Sequence, residues 1–211
     1  MQILWWRAER AQIVDDEEKV WASISRVNVL ADEAQVLRDD LGPERVVAWA
    51  GWAEGDPVAG EFQADPSVWL PSGRERFGRF ASEGTELARS CGSRLLWRPH
   101  AATALSDLPG CVALSKMMPD TGMGLLADPF SLLTPDTLGD AEDHLRRAGE
   151  VFAAIDGVEA VVLAPNASAR ASVGVDVMRR TLAPLLDGRW AVILEDGDRI
   201  VQRRMLEAIT G

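Results

Sequence analysis

Four side chains that can transfer protons or bind ions lie just after short apolar segments of this sequence. Arg98 and His100 follow one such segment, Asp128 follows a second, and Glu195 ends a third. Carboxylates and an imidazole can act as general acids and bases, and a guanidinium can bind an anionic group. In parallel α/β folds, residues just past the carboxyl ends of strands meet in one site. We therefore take Asp128, Glu195 and His100 as candidate catalytic residues, and we expect Arg98 to pair with one of the two carboxylates.

A second group of residues at similar positions could bind a substrate. Asn166 follows the apolar segment 158–164, and Trp49 and Trp97 lie at the ends of predicted strands. Indole rings can pack against the apolar face of a sugar, and Arg98 could bind a carboxylate or phosphate group. The candidate substrate-binding residues are therefore Arg98, Trp97, Trp49 and Asn166. Packing in the core would explain the tryptophans equally well.

Short apolar runs alternate with amphipathic segments along the whole chain. The runs predict strands near 2–6, 45–52, 95–97, 123–127, 158–164 and 190–194. The amphipathic segments predict helices over 16–41, 72–92, 106–117, 134–155, 175–186 and 198–209. Strands that are apolar on both faces and are followed by amphipathic helices are typical of a parallel sheet. The fold class is therefore α/β, either as a closed barrel or as an open doubly wound sheet.

Composition excludes several classes of protein. Apolar residues make up 47% and charged residues 26%, which is typical of a folded globular chain. The balance of 22 Lys and Arg against 33 Asp and Glu gives a net charge of −11, which argues against general binding to nucleic acid or to an anionic membrane. No apolar run approaches the about 20 residues needed to span a bilayer, and no signal-peptide pattern is present. We expect a cytoplasmic protein with a single domain over residues 1–211.

Four strand ends resemble motifs of a known family, the sugar phosphate isomerase/epimerase-like proteins of the xylose-isomerase-like TIM barrel superfamily. The segments that carry the resemblance are LLWRPH (95–100), GLLADPFSLL (124–133), VEAVVLAPN (158–166) and WAVILED (190–196). They are similar, in order, to the family's strand ends Glu-Pro/Asn-His, Asp-x-x-His, His-x-x-Asp and a final Glu. The resemblance extends from about residue 44 to 198 and implies a parallel, TIM-like β/α barrel.

The resemblance also implies a metal site, and this chain departs from it. The family binds a divalent metal ion through a Glu, an Asp, a His and a second Glu. Asp128 and Glu195 match two of these ligands, but Arg98 stands at the first Glu position, Ser131 at the His position, and Val162 and Pro165 at the later His and Asp positions. A guanidinium has no lone pair to offer and would repel a divalent cation. We therefore expect no metal and no cofactor.

The number of recognisable strands bears on the completeness of the barrel. Six strands are predicted, whereas a TIM barrel has eight, typically in about 250 residues. Either two strands escape detection, within 53–71 and 101–118, or the barrel is incomplete. An incomplete barrel would expose strand edges that a partner must cover. This reasoning favours a homodimer.

Two functions remain after this comparison. The first is a degenerate isomerase/epimerase-like protein that has lost its metal site and serves in binding or assembly without catalysis. The alternative is an isomerase or epimerase, independent of metal or weakly dependent on it, that acts on a small polyhydroxy or sugar-derived substrate by proton transfer. In the alternative, Asp128 and Glu195 are the acid and base, His100 carries a proton or contacts an oxygen, and Arg98 binds an anionic group. Either function allows a sugar-like small-molecule ligand.

Overall fold

The chain folds into a closed β-barrel, and the computed structural model describes residues 1–56, 58, 61–117, 122–163 and 173–211. The strands are β1 Ile3–Arg7, β2 Gln12–Val14, β3 Val20–Ile24, β4 Arg45–Ala48, β5 Gly55–Asp56, β6 Glu61–Phe62, β7 Arg94–Trp97, β8 Met123–Ala127, β9 Val158–Val162 and β10 Ala191–Glu195. The α-helices are α1 Pro71–Ser90, α2 Leu108–Ser115, α3 Ala141–Ala153, α4 Val175–Leu182 and α5 Arg199–Thr210. Short 3-10 helices span Ala8–Arg10, Ala34–Asp39, Pro66–Trp69, Pro135–Asp140 and Ala183–Leu185.

Eight of these strands form the barrel, in the order β1, β10, β9, β8, β7, β4, β3, β2. Strand β2 is antiparallel to both of its neighbours. All the other neighbouring pairs in the barrel are parallel. Strands β5 and β6 form a separate antiparallel ribbon in the loop after β4. The predicted α/β fold class is confirmed, as a β/α barrel.

The five strands from β4 to β10 that are joined by helical connections lie side by side, as predicted. They are β4, β7, β8, β9 and β10, and each pairs in parallel with the next. Strand β8 is buried at every residue, because the barrel interior covers one face and helices cover the other. Such strands are continuous apolar runs in the sequence, which is why they could be recognised.

The helix predicted over 16–41 is wrong. This segment contains β3 and the 3-10 helix Ala34–Asp39 instead. The Asp15 carboxylate accepts hydrogen bonds from the backbone N–H groups of Glu17 and Lys19, both at 2.9 Å, and this turn begins the segment. Strand β3 then gains backbone hydrogen bonds from β2 and β4. The apolar residues of β3 fit both a helical and a strand spacing. The pairing with β2 and β4 makes this segment a strand.

The two strands that the sequence did not reveal are therefore β2 and β3, between residues 12 and 24. The expectation that they lie within 53–71 or 101–118 is wrong, because the only strands among the described residues of the first segment form the ribbon β5–β6, and the described part of the second contains α2. The barrel is closed, so the possibility of an incomplete barrel is also overturned. A closed barrel has no open strand edges, which removes the argument that favoured a homodimer.

The core has two layers because alternate strand residues point into the barrel and away from it. The inner cluster comes from the strands and from the loop after β4: Leu4, Trp6, Ile13, Ala22, Ile24, Val47, Trp49, Trp52, Val58, Leu96, Leu126, Ala160, Val162 and Ile193. The outer cluster joins strand residues such as Trp5, Leu95, Trp97 and Leu125 to helix residues such as Phe80, Leu145 and Phe152. None of the described helices is both long and apolar enough to cross a membrane.

Candidate functional site

The interior of the barrel becomes polar at the carboxyl ends of β7 and β8. Leu96 and Leu126 belong to the inner cluster. Arg98 and Asp128 come two residues after them, so the alternation of strand residues directs both toward the interior. Because β7 and β8 are neighbours, the two side chains meet at the end of the barrel where the site was predicted.

Arg98 and Asp128 form a buried ion pair. Nε and Nη2 of Arg98 both lie 2.7 Å from Oδ2 of Asp128. Asp128 is only 1% exposed and Arg98 only 9% exposed. The other carboxylate oxygen, Oδ1, accepts a hydrogen bond from the backbone N–H of Ser131 at 3.1 Å. The ion pair expected for Arg98 is therefore present, with Asp128 as its partner.

Ser131 fixes the two strand ends to each other. Its hydroxyl donates to the carbonyl oxygen of Pro99 at 2.6 Å and lies 2.9 Å from the carbonyl oxygen of Asp128. The backbone of Ala101 donates in turn to the Ser131 carbonyl at 2.8 Å. Ser131 thus joins, through hydrogen bonds, the backbone segments that carry Arg98 and Asp128.

Two tryptophans pack against the guanidinium. The Cζ atom of Arg98 lies 4.5 Å from the ring centroid of Trp6 and 5.8 Å from that of Trp49. The two rings meet edge to face, with centroids 6.0 Å apart. The indole N–H of Trp6 donates to the carbonyl oxygen of Val58 at 3.1 Å, which joins the loop after β4 to the barrel. Cation–π contact of this kind is strongest where water is excluded.

His100 lies near this pair in the turn after β7. Its Nδ1 accepts a hydrogen bond from the backbone N–H of Ala102 at 3.0 Å. Burial, with the positive charge of Arg98 as a second cause, lowers the pKa of His100 to about 4. The imidazole is therefore neutral at pH 7 and is a weak base.

Burial and the ion pair have opposite effects on Asp128. Burial raises the pKa of Asp128, while Arg98 and the Ser131 N–H act to lower it, and burial has the larger effect. The ionised state of this carboxylate therefore depends on the guanidinium next to it.

Not all the predicted site residues join this cluster. Glu195 ends β10 at the same end of the barrel, in register with Trp6 of β1, but it is exposed. The expectation that Trp97 lies near the mouth is wrong. It is fully buried on the outer face of β7, with its ring centroid 4.9 Å from that of Phe77 and 6.4 Å from that of Phe80, both in α1. Asn166, and Pro165 before it, lie outside the described residues.

The residues at the mouth do not fit a divalent metal ion. The carboxylate of Asp128 already binds the guanidinium, and the Ser131 hydroxyl donates to the backbone carbonyl of Pro99. Across the described ranges, no three His, Cys, Asp or Glu side chains come together as a possible metal site. A cation brought to Asp128 would have to displace or face the positive charge of Arg98.

Sequence reasoning missed two residues of the site, Trp6 and Val58. Trp6 lies in an apolar run that predicts a strand, but the sequence does not show which of Trp5 and Trp6 points inward. The pairing of Trp6 with Ile13 and Glu195 decides this. Val58 lies in a long loop and is only 2% exposed, a placement that no local pattern signals.

Among known proteins, this chain is similar to several solved structures. No protein-family model matches the chain. No curated protein matches it either. A xylose isomerase-like TIM barrel protein from Mycobacterium smegmatis, solved with magnesium, is 13% identical at a TM-score of 0.45, over 84% of this chain and 64% of that one. The matched part of this chain thus spans about two thirds of that protein's length.

Two further solved structures match this chain at a similar sequence identity and TM-score. The probable 3-DHS dehydratase AsbF of Bacillus anthracis, described as involved in petrobactin synthesis, is 12% identical at a TM-score of 0.45, over 83% of this chain and 78% of that one. A xylose isomerase-like TIM barrel/4-hydroxyphenylpyruvate dioxygenase fusion protein is 15% identical at a TM-score of 0.46, over 83% of this chain and 29% of that one. Two of the three structures are described as xylose isomerase-like TIM barrel proteins.

Proposed function

We propose that this chain is a non-catalytic binding or assembly protein, built on a barrel of the sugar isomerase/epimerase type that has lost its divalent-metal site. The ion pair of Arg98 with Asp128 carries the proposal. It places a fixed cation at the position where the family resemblance implies a metal ligand, and it occupies the carboxylate that would bind the metal.

The packing of the inner cluster near Arg98 supports the same proposal. Trp6 and Trp52 are each 6% exposed, Trp49 is 1% exposed and Val58 is 2% exposed. All four side chains belong to the inner cluster, and Trp6 and Trp49 contact the Arg98 guanidinium. Aromatic rings therefore pack against this cation and hold it at the strand end.

The alternative is a metal-independent isomerase or epimerase that uses Asp128, Glu195 and His100. Proton transfer next to a carbonyl needs a base whose pKa suits the working pH and that can reach the substrate. His100 has a pKa of about 4, and the Asp128 carboxylate already accepts from Arg98 and Ser131. These properties favour the non-catalytic function over the alternative.

Thermal unfolding with Mn²⁺ tests the proposal. We expect that Mn²⁺ leaves the Tm of the wild-type protein unchanged. Arg98→Glu should lower the Tm, because two carboxylates then share a buried site, and Mn²⁺ should restore it. Metal at about 100 times its Kd would contribute about 2.7 kcal/mol. Arg98→Met is the matched control, since it removes the same cation without adding a ligand, and Mn²⁺ should not rescue it. A rise in the wild-type Tm would overturn the loss of the metal site.

A direct assay for proton transfer tests the absence of catalysis. Wild-type protein is incubated in D₂O with a panel of aldoses and ketoses, with and without Mn²⁺, and deuterium incorporation next to the carbonyl is followed by NMR. We expect incorporation at the rate of the blank. Incorporation above the blank that is lost in Asp128→Asn would support the isomerase/epimerase alternative instead.

The remaining sequence-based expectations belong with this proposal. A sugar-like ligand and a cytoplasmic location stay predictions. The homodimer has lost the open strand edges from which it was inferred. Equilibrium ultracentrifugation of the purified chain tests whether it associates with itself.

A further inference from the structure

The outer face of β1 is covered in an unusual way. The connections on either side of β2 are short, formed by the 3-10 helix Ala8–Arg10 and by the turn 15–19. Trp5, on the outer face of β1, is nevertheless 0% exposed. Its indole N–H donates to the carboxylate of Asp16 at 2.8 Å. A charged turn, rather than a helix from this part of the chain, therefore covers the ring.

The turn 15–19 has a defined shape. Besides the two hydrogen bonds to the Asp15 carboxylate, the N–H of Asp15 donates to the Lys19 carbonyl at 3.0 Å. Glu18 has a φ of 66°, which lies in the left-handed region that few residues other than glycine adopt readily. This backbone presents Asp16 and Glu18 to β1 and α5.

Six charged side chains lie around Trp5 in a group of four and a separate pair, which together we call the outer ionic network: Arg7, Glu18, Asp196 and Arg199, and Asp16 with Arg203. Arg7 pairs with both Glu18 and Asp196. Arg199 also pairs with both, at 3.0 Å to Glu18 and 2.8 Å to Asp196. Arg203 pairs with Asp16. The network thus joins the end of β1, the turn 15–19 and the first turns of α5.

The same arginines cover the indole ring. The Cζ atom of Arg199 lies 4.7 Å from the centroid of the Trp5 ring, and that of Arg203 lies 5.5 Å from it. The side chains of Glu18, Asp16 and Arg203 are 50%, 48% and 42% exposed. Ions in solution can therefore compete for these pairs, because the Debye length falls from about 10 Å at 0.1 M salt to about 3 Å at 1 M.

We propose that the turn 15–19 is an ionic clasp that holds the barrel closed at β1 and opens at high ionic strength before the helix-covered strands do. Local opening of this kind has its own equilibrium, separate from global unfolding. The clasp uses charges, whereas the other side of the barrel uses apolar helix faces. Added NaCl therefore weakens the ion pairs of the clasp by screening and does not screen the apolar contacts. This inference does not depend on the proposed function.

Hydrogen exchange of the indole N–H groups tests the clasp in the intact protein. Trp5 reports on the clasp, and Trp97 under α1 is the internal reference. Between about 0.05 M and about 1 M NaCl we expect exchange at Trp5 to become about tenfold faster while exchange at Trp97 does not accelerate. Equal changes at the two indoles, or slower exchange at Trp5, would overturn the proposal.

Two substitutions in α5, one inside and one outside the outer ionic network, test whether this network controls exchange at Trp5. Arg203→Met removes the partner of Asp16, whereas Arg204→Met changes an exposed neighbour for which no ion pair is recorded in the described part of the chain. We expect Arg203→Met to speed exchange at Trp5 about threefold to tenfold in low salt and to reduce its dependence on salt. Arg204→Met should match the wild type, and equal behaviour of the two variants would overturn the assignment.

Discussion

Ion pairs between arginine and carboxylate side chains occur in two regions of this molecule that differ in their exposure to solvent. In the barrel mouth, the side chains of Arg98 and Asp128 are 11% and 1% exposed. In the outer ionic network, the side chains of Arg203 and Asp16 are 42% and 48% exposed. Water can replace a lost partner far more readily at the outer site than at the inner one. Similar ion pairs therefore differ in how much the fold depends on them.

In both regions, the ring of a tryptophan in β1 packs against an arginine side chain. Trp6 packs against Arg98 inside the barrel, and its neighbour Trp5 packs against Arg199 and Arg203 outside it. Consecutive residues of a strand point to opposite faces. A single dipeptide thus supplies an aromatic surface to both ion-pair groups, and only the solvent around each group differs.

The largest effect is expected from breaking the inner pair on one side. Arg98→Met leaves the Asp128 carboxylate buried without its cation, and the free energy of unfolding should fall by about 3 to 5 kcal/mol. Urea denaturation at pH 7 measures the change. The double variant Arg98→Met/Asp128→Leu removes both charges and should regain most of the loss. A loss below about 1 kcal/mol in the single variant would show that water reaches this site.

A change of pH sharpens the same comparison. Burial raises the pKa of Asp128, and without Arg98 the opposing effect of the guanidinium is gone. A folded-state pKa above the unfolded value favours folding at low pH, and this contribution is lost as the pH rises through the folded value. The deficit of Arg98→Met should therefore be smaller at about pH 5 than at about pH 8. Urea midpoints at the two values measure it, and an equal deficit would contradict it.

The smallest effect is expected from the outer ionic network. Hydrogen bonds from the Trp5 indole and from Arg203 lower the pKa of Asp16. The contribution of Asp16 is then present at neutral pH and lost as the pH falls through its folded-state value. Asp16→Asn should cost less than about 1 kcal/mol at pH 7, because the side chain is 48% exposed. Urea denaturation should show the variant and the wild type converging in acid, and a loss as large as that of Arg98→Met would remove the contrast between the two regions.

The family resemblance and the helix-connected strands could be recognised from the sequence because their signals are local. Buried strands such as β8 are continuous apolar runs, and the side chains after two of them, Arg98 and Asp128, meet because parallel strands end together. The helix predicted over 198–209 is α5, and the Asp198 carboxylate caps it by accepting hydrogen bonds from the backbone N–H groups of Ile200 and Val201.

Only the tertiary structure decided that β2 and β3 complete the barrel and which side chains pack against the two groups of ion pairs. The apolar spacing in 16–41 fits a helix as well as a strand, and the pairing of β3 with β2 and β4 selects the strand. The pairings of β1 with β2 and β10 close the barrel, direct Trp6 inward and Trp5 outward, and bring Arg199 and Arg203 to a turn some 180 residues earlier in the chain. Register and burial depend on contacts between distant segments, and no local pattern of residue types contains them.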